Sequence, residues 1–244
     1  MIRNTTETKT TGLTIFLFSR LFLFAFFQLV IALILDSWRD SEKYWLLTAT
    51  LTNIVSIVLL FFLFRREGRR YLSIFVFSKK DWKKDLLIFS GLVLLSVPLV
   101  LIPGPILSKL LWGDATYYQH VLFQPIRAYL IYFLLLAFPV TIGFAELATY
   151  FGYIMPRLEK DTKSEWLAVS LPVLFLSIQH CTLPLLFDMK FILLRAIMFL
   201  PLAVMLGIAI HRRPTLLPYL SLLHVLLDMV TAMMLLPYAI HMMH

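Results

Sequence analysis

The chain has 244 residues, 60% of them hydrophobic, with a mean hydropathy of +0.85. Soluble domains stay near about 45–50% apolar residues, so this composition excludes an ordinary soluble domain. The net charge of +8 is concentrated: "RREGRRYLSIFVFSKKDWKK" (65–84) holds eight of the 22 Lys and Arg residues. Because this stretch lies between two apolar runs, it reads as a membrane-flanking loop and not as a nucleic-acid surface.

In chain order, a polar leader, "MIRNTTETKTTG", comes first. The apolar run after it, about 22 residues, is too long for the core of a cleaved signal peptide and reads as a first span. Spans follow the lengths of apolar runs and are expected near 13–35, 44–64, 85–102, 128–155, 166–186, 191–210 and 215–236. The fold class is therefore all-α, a polytopic transmembrane helical bundle of about seven to eight helices in a single integral domain over 1–244. "PGP" (103–105) is expected to close the third span, Pro139 to kink the long fourth one, and a further short helix to follow Pro237. "YLSIFVF", between two blocks of charge, is expected to rest at the interface beside anionic membrane lipid.

Charge asymmetry gives an orientation. With 65–84 in the cytoplasm and strict alternation, 15 basic residues flank that side and six the other, which puts the N-terminus inside and the C-terminus outside a cell membrane. Arg20 falls within the first span and is expected to snorkel. The single cysteine, Cys181, permits no internal disulfide. His120, His211, His241 and His244 sit near span ends and read as interfacial.

Ionisable groups deep in a span are costly and face a bundle interior or a wet cavity. Glu146, Asp228, His180 and His224 fall well inside spans, on three different helices. From the basic end of each span, Glu146 is about 14 Å in, His180 about 21 Å and His224 about 14 Å. All four are therefore candidates for one pocket. His224 and Asp228 stand at i,i+4, and Ser221 and Thr231 extend their stripe. Ser177 lies one turn before His180. Thr149 and Tyr153 follow Glu146, and Ala148 with Gly152 forms a small-xxx-small pair. Arg157 and Glu159 read as ordinary interfacial charges.

"ELATYFGYIMPRL" (146–158) resembles the first motif of the intramembrane glutamic proteases related to the Ras-converting CAAX endopeptidases, whose bacterial relatives are grouped as CAAX-protease and bacteriocin-processing proteins. That motif reads Glu-Glu-x-x-x-Arg, often continued by Gly-Tyr-x-x-Pro-Arg-Leu. "LSIQH" (176–180) resembles the second motif, Phe-x-x-x-His, and "HVLLD" (224–228) the third, His-x-x-x-Asn or Asp. The motif-bearing core is 128–236. Two positions depart: Leu147 replaces the second Glu and Phe151 the Arg, which removes a charge pair together and strands neither partner. The resemblance implies an endopeptidase of bacterial origin acting on a membrane-associated peptide, prenylated or otherwise lipidated. It implies that Glu146 and His180 activate a water, that His224 stabilises the oxyanion and that Asp228 supports His224.

Three other readings stay open. Leu147 and Phe151 also fit a non-catalytic homologue serving as a bacteriocin-immunity factor or membrane adaptor. Glu146, His180, His224 and Asp228 are competent zinc ligands, but no His-Glu-x-x-His spacing occurs and no cofactor is expected. Intramembrane acids also mark transporters, yet neither a repeated half nor paired broken helices is evident.

Overall fold

Hydrocarbon offers a backbone no hydrogen-bond partner, so long apolar runs close their own bonds as helices. The computed structural model describes residues 5–240, with side chains from Gly12 onward. Its elements are α1 (Thr5–Leu35), α2 (Trp38–Glu42), α3 (Trp45–Arg66), a 3-10 turn (Tyr71–Ile74), α4 (Trp82–Leu101), α5 (Pro103–Trp112) and α6 (Tyr117–Leu122). Then come strand β1 (Ile126–Arg127), α7 (Ala128–Leu147), a π-helical segment (Ala148–Ile154), α8 (Met155–Thr162), α9 (Glu165–Ile178) and a second 3-10 turn (Gln179–Thr182). The chain ends with α10 (Met189–Met198), α11 (Leu200–Arg212), α12 (Leu217–Met233) and strand β2 (Ala239–Ile240). Among the described residues, six helical stretches are long and apolar enough to cross a membrane. The chain is an all-α, multi-pass membrane bundle. The side chains of Arg3 and Lys9, and His241 and His244, lie outside the described residues.

Three expectations about the spans change. "PGP" does not end the third span: Pro103 occupies the first turn of α5, where its missing N–H breaks no bond. The helical stretch runs on from Trp82 to Trp112. Pro237 sits in a short 3-10 turn, and the two residues after it pair in parallel with β1, Ala239 opposite Ile126.

The third change concerns 166–186, which is not one helix. α9 stops at Ile178, and the passage is completed by the 3-10 turn and irregular chain. This stretch runs alongside α1. Phe175 packs on Phe18 with ring centroids 4.5 Å apart, Gln179 meets Arg20, Thr182 bonds the Leu21 carbonyl, and Leu185 meets Gln28. Irregular backbone at such depth persists only where the protein satisfies it. Arg195, 2% exposed, donates to the carbonyls of Leu183 (2.6 Å) and His180 (3.3 Å). Gln28 accepts from the Leu185 N–H at 2.6 Å and donates to its carbonyl at 3.0 Å, joined there by the Trp38 indole at 3.1 Å.

The basic loops do share one end. Arg157 on α8 bonds Glu67 just beyond α3, Arg213 meets the buried Asp85 at the start of α4, and His211 faces Glu159 and Glu165. The turn after α3 is fixed by Gly68, at φ +70, where the Arg69 N–H bonds the Phe64 carbonyl and the Gly68 N–H that of Arg65. At the opposite end, β1 pairs with β2 and the Trp45 indole bonds the Leu122 carbonyl at 2.8 Å.

α7 is the central helix, packed between α3 and α12. Gly143 lets α12 approach, since a Cβ there would run into Val225. Gly207 does the same for α11: a Cβ would collide with Val173 on α9 and lie 3.2 Å from Phe151. Leu147 and Phe151, the two departures from the first motif, both sit in the apolar core with Leu176, Leu206 and Leu220.

Candidate functional site

Glu146 is the last residue but one of α7, 1% exposed. Its Oε2 accepts from Gln179 Nε2 at 2.8 Å and from Arg20 Nη2 at 3.3 Å. Oε1 lies 3.0 Å from His224 Nε2, and the same ring nitrogen is 3.3 Å from Asp228 Oδ2. Yet neither Oε1 nor Oδ2 accepts a well-aligned hydrogen bond from the protein. The carboxylate is thus clamped through one oxygen, while the other faces an imidazole shared with a second acid.

Three of the four expected residues therefore meet: Glu146, His224 and Asp228. Exposure is graded across them, with side chains 1%, 11% and 18% exposed in that order.

His180 does not bond with the others. Its Nδ1 lies 2.9 Å from the Leu176 carbonyl and 3.2 Å from that of Ser177, and the ring stacks on Phe199 with centroids 4.0 Å apart. The physical reason is the helix end. Carbonyls of the last turn of α9 lack partners, and the ring folds back onto them. Carbonyls only accept, so Nδ1 carries a proton, and in the neutral ring Nε2 bears the lone pair. Its neighbour Gln179, which the sequence reading passed over, makes the bond to Glu146.

Arg20 does not snorkel. It is fully buried and uses its whole guanidinium: Nε to Gln179 Oε1 at 2.8 Å, Nη1 to Ser56 Oγ at 3.2 Å, Nη2 to Asn53 Oδ1 at 2.9 Å and to Glu146. Asn53 in turn donates to Thr141 Oγ1 at 3.2 Å, and the Tyr150 hydroxyl bonds Gln179 Oε1 at 3.3 Å. The signal was present in the sequence. Arg20 lies about 12 Å into its span from Gly12, farther than a side chain reaches easily to the interface. Thr48, Thr52, Asn53 and Ser56 mark one buried polar face of α3.

Other expected members turn away. Thr149 Oγ1 bonds its own helix at Ala145, and Thr231 does so at Leu227. The π-helical segment rotates Tyr153 to the basic end, where it bonds Glu67 Oε1 at 3.1 Å. Arg157, expected to be an ordinary interfacial charge, lies 3.5 Å over the Tyr153 ring and forms two hydrogen bonds with Glu67. Gly152 does permit close approach, but of Ile74 and Leu217; a Cβ there would be 2.7 Å from Ile74. Ser177 bonds the Ala196 carbonyl at 2.6 Å and Cys181 that of Ile192 at 3.4 Å, so each ties α9 or its 3-10 end to α10.

Glu146, His180, His224 and Asp228 do not bring their ligand atoms together as a metal-binding group among the described residues. Among the described residues, the group that brings ligand atoms together is Glu159, Glu165 and His211 at the basic end, within 4.8 Å of one another. Chemically, the central site offers a buried, anchored carboxylate with one unclamped oxygen, an imidazole nitrogen beside it and a second acid. The chain matches no family model, no curated protein and no solved structure.

Proposed function

We propose that the protein is an intramembrane glutamic-type endopeptidase resembling the CAAX-protease and bacteriocin-processing family. The observation that carries this reading is the asymmetric clamp on Glu146, which fixes Oε2 through Gln179 and Arg20 and leaves Oε1 beside His224. A structural ion pair has no need of that imidazole, or of Asp228 behind it.

In this mechanism Glu146 Oε1 takes a proton from a water as the water oxygen attacks the scissile carbonyl carbon. General bases of this kind contribute about 10²–10⁴-fold. The oxyanion forms against His224 Nε2–H, whose positive charge the adjacent Asp228 carboxylate supports; such a donor contributes about 2.7–4 kcal/mol. Protonated Glu146 then returns its proton to the leaving nitrogen. His180 offers Nε2 to the same water. Arg20 supplies the positive charge beside Glu146. The substrate class is a membrane-anchored, lipidated peptide entering from the Asp228 side. By the positive-inside rule the basic end, and the N-terminus with it, would face the cytoplasm, and the family resemblance implies a bacterial cell.

A second reading has its own support. Glu146 is nearly inaccessible and Leu147 and Phe151 are packed apolar, as a non-catalytic homologue serving as an immunity factor or adaptor would tolerate. Comparison of new peptide termini in membranes of cells expressing the wild type or Glu146→Gln separates the two. Proteolysis predicts termini that vanish in the variant. An intact biological effect in Glu146→Gln, with identical termini, establishes the non-catalytic role.

A further inference from the structure

A cavity opens on the outside of the bundle, beyond the residues that contact Glu146. It is a groove of about 930 Å³ at the basic end, lined by one face of α3 (Ile57, Val58, Phe61, Phe62 and Arg65), by the loop residues Arg69 to Leu72, and by Phe144 on α7. On α3 these lining residues stand at 0, 3, 4, 7 and 8 positions back from Arg65, one continuous helical stripe. The stripe extends about 12 Å from Arg65 to Ile57. Its walls are open: Val58 is 47% exposed, Phe61 49%, Phe62 55%, Leu72 63% and Phe144 43%. The floor is fixed, because the Tyr71 hydroxyl bonds the Phe144 carbonyl and pins the loop to α7.

Charge is confined to one end. Arg65, Arg69 and Arg70 line the rim, all exposed. None of the three forms an ion pair among the described residues; Arg69 rests over the Phe64 ring at 5.5 Å. The only acid in 57–72 is Glu67, and it is engaged by Arg157 and Tyr153. An occupant must therefore be anionic at one end and apolar for the remainder.

We propose that this groove is a binding site for one anionic phospholipid, with the phosphate among Arg65, Arg69 and Arg70 and an acyl chain along Val58, Phe61 and Phe144. Guanidinium groups pair with phosphate through forked hydrogen bonds. A basic cluster next to a span favours anionic headgroups by about 1 kcal/mol per residue. The α3 stripe presents apolar side chains at the depth where a chain continues from that headgroup. This site is independent of any chemistry at Glu146.

The test is native mass spectrometry of the purified full chain titrated with phosphatidylglycerol, phosphatidylcholine or inorganic phosphate. One phosphatidylglycerol should be retained per chain. Affinity should drop on the order of a hundredfold in Arg65→Gln/Arg69→Gln/Arg70→Gln. It should hold in Lys79→Gln/Lys80→Gln/Lys84→Gln, which removes equal charge from the same face outside the groove. Val58→Trp, which fills the groove without touching charge, should also weaken retention. Equal losses in the two triple variants, unchanged retention in Val58→Trp, equal affinity for phosphatidylcholine, or displacement by inorganic phosphate would each overturn the proposal.

Discussion

Two Arg–Glu pairs stand in one bundle with opposite surroundings. Arg20–Glu146 joins α1 to α7 with side chains 0% and 1% exposed. Arg157–Glu67 joins α8 to the end of α3 with side chains 18% and 36% exposed. The exposed pair is reinforced by an aromatic face and closes a corner. The buried pair draws in Asn53, Ser56, Gln179 and Tyr150, because a polar atom removed from water is costly without a partner. Buried and exposed pairs thus differ less in geometry than in how much of the protein is committed to them.

Removing one member of the buried pair is the strongest way to break this contrast. Arg20→Met leaves Glu146 without its cation and should destabilise by about 3–5 kcal/mol, read as thermal unfolding in detergent. Adding Glu146→Gln to that variant should restore most of the loss, since no charge is then stranded. If the single variant unfolds like the wild type, the clamp is not holding the bundle. Arg195→Leu comes next: it strips the Leu183 and His180 carbonyls of their donor and should lower stability by about 1–3 kcal/mol. The same assay checks it, and a null result would mean the broken passage of 179–188 is satisfied by other means.

Arg157→Gln should cost about 1 kcal/mol or less, as exposed pairs do. The matching acid test is smaller still. Burial pushes the Glu67 carboxyl up, but the hydrogen bonds and charge of Arg157, with Tyr153 and Arg69, outweigh it and hold the group below its ordinary 4.5. A carboxyl depressed by folding stabilises above its unfolded value, and that contribution is lost as pH falls through the folded value. Unfolding midpoints should therefore decline below about pH 4.5 less steeply in Glu67→Gln than in the wild type; parallel declines would remove the pair from the account.

Much of the bundle was legible in sequence, because a helix in lipid is written as an apolar run. Where the reading failed, local chemistry overrode length. Pro103 looked like a terminator but occupies a first turn that tolerates it. The run 166–186 is apolar enough to read as a span, yet its second half is held open by Arg195 and Gln28, partners contributed from other segments that no run length encodes. The site was legible for Glu146, His224 and Asp228 because charge in a span is conspicuous. Gln179 and Asn53 are neutral and drew no notice. Arg20 was noticed and assigned outward, since one residue alone does not reveal that Asn53, Ser56 and Gln179 wait for it inside. His180 was expected beside the acids, but the end of its own helix engages the ring through Nδ1.

The central claim is that Glu146 activates a water for peptide hydrolysis. Purified protein in vesicles would be given a mixture of lipid-anchored peptides in ¹⁸O-enriched water, with Glu146→Gln alongside. The account predicts cleavage that places one ¹⁸O in the new C-terminal carboxylate and falls at least about a hundredfold in the variant. Equal cleavage by the variant, or a new carboxylate without label, would contradict it.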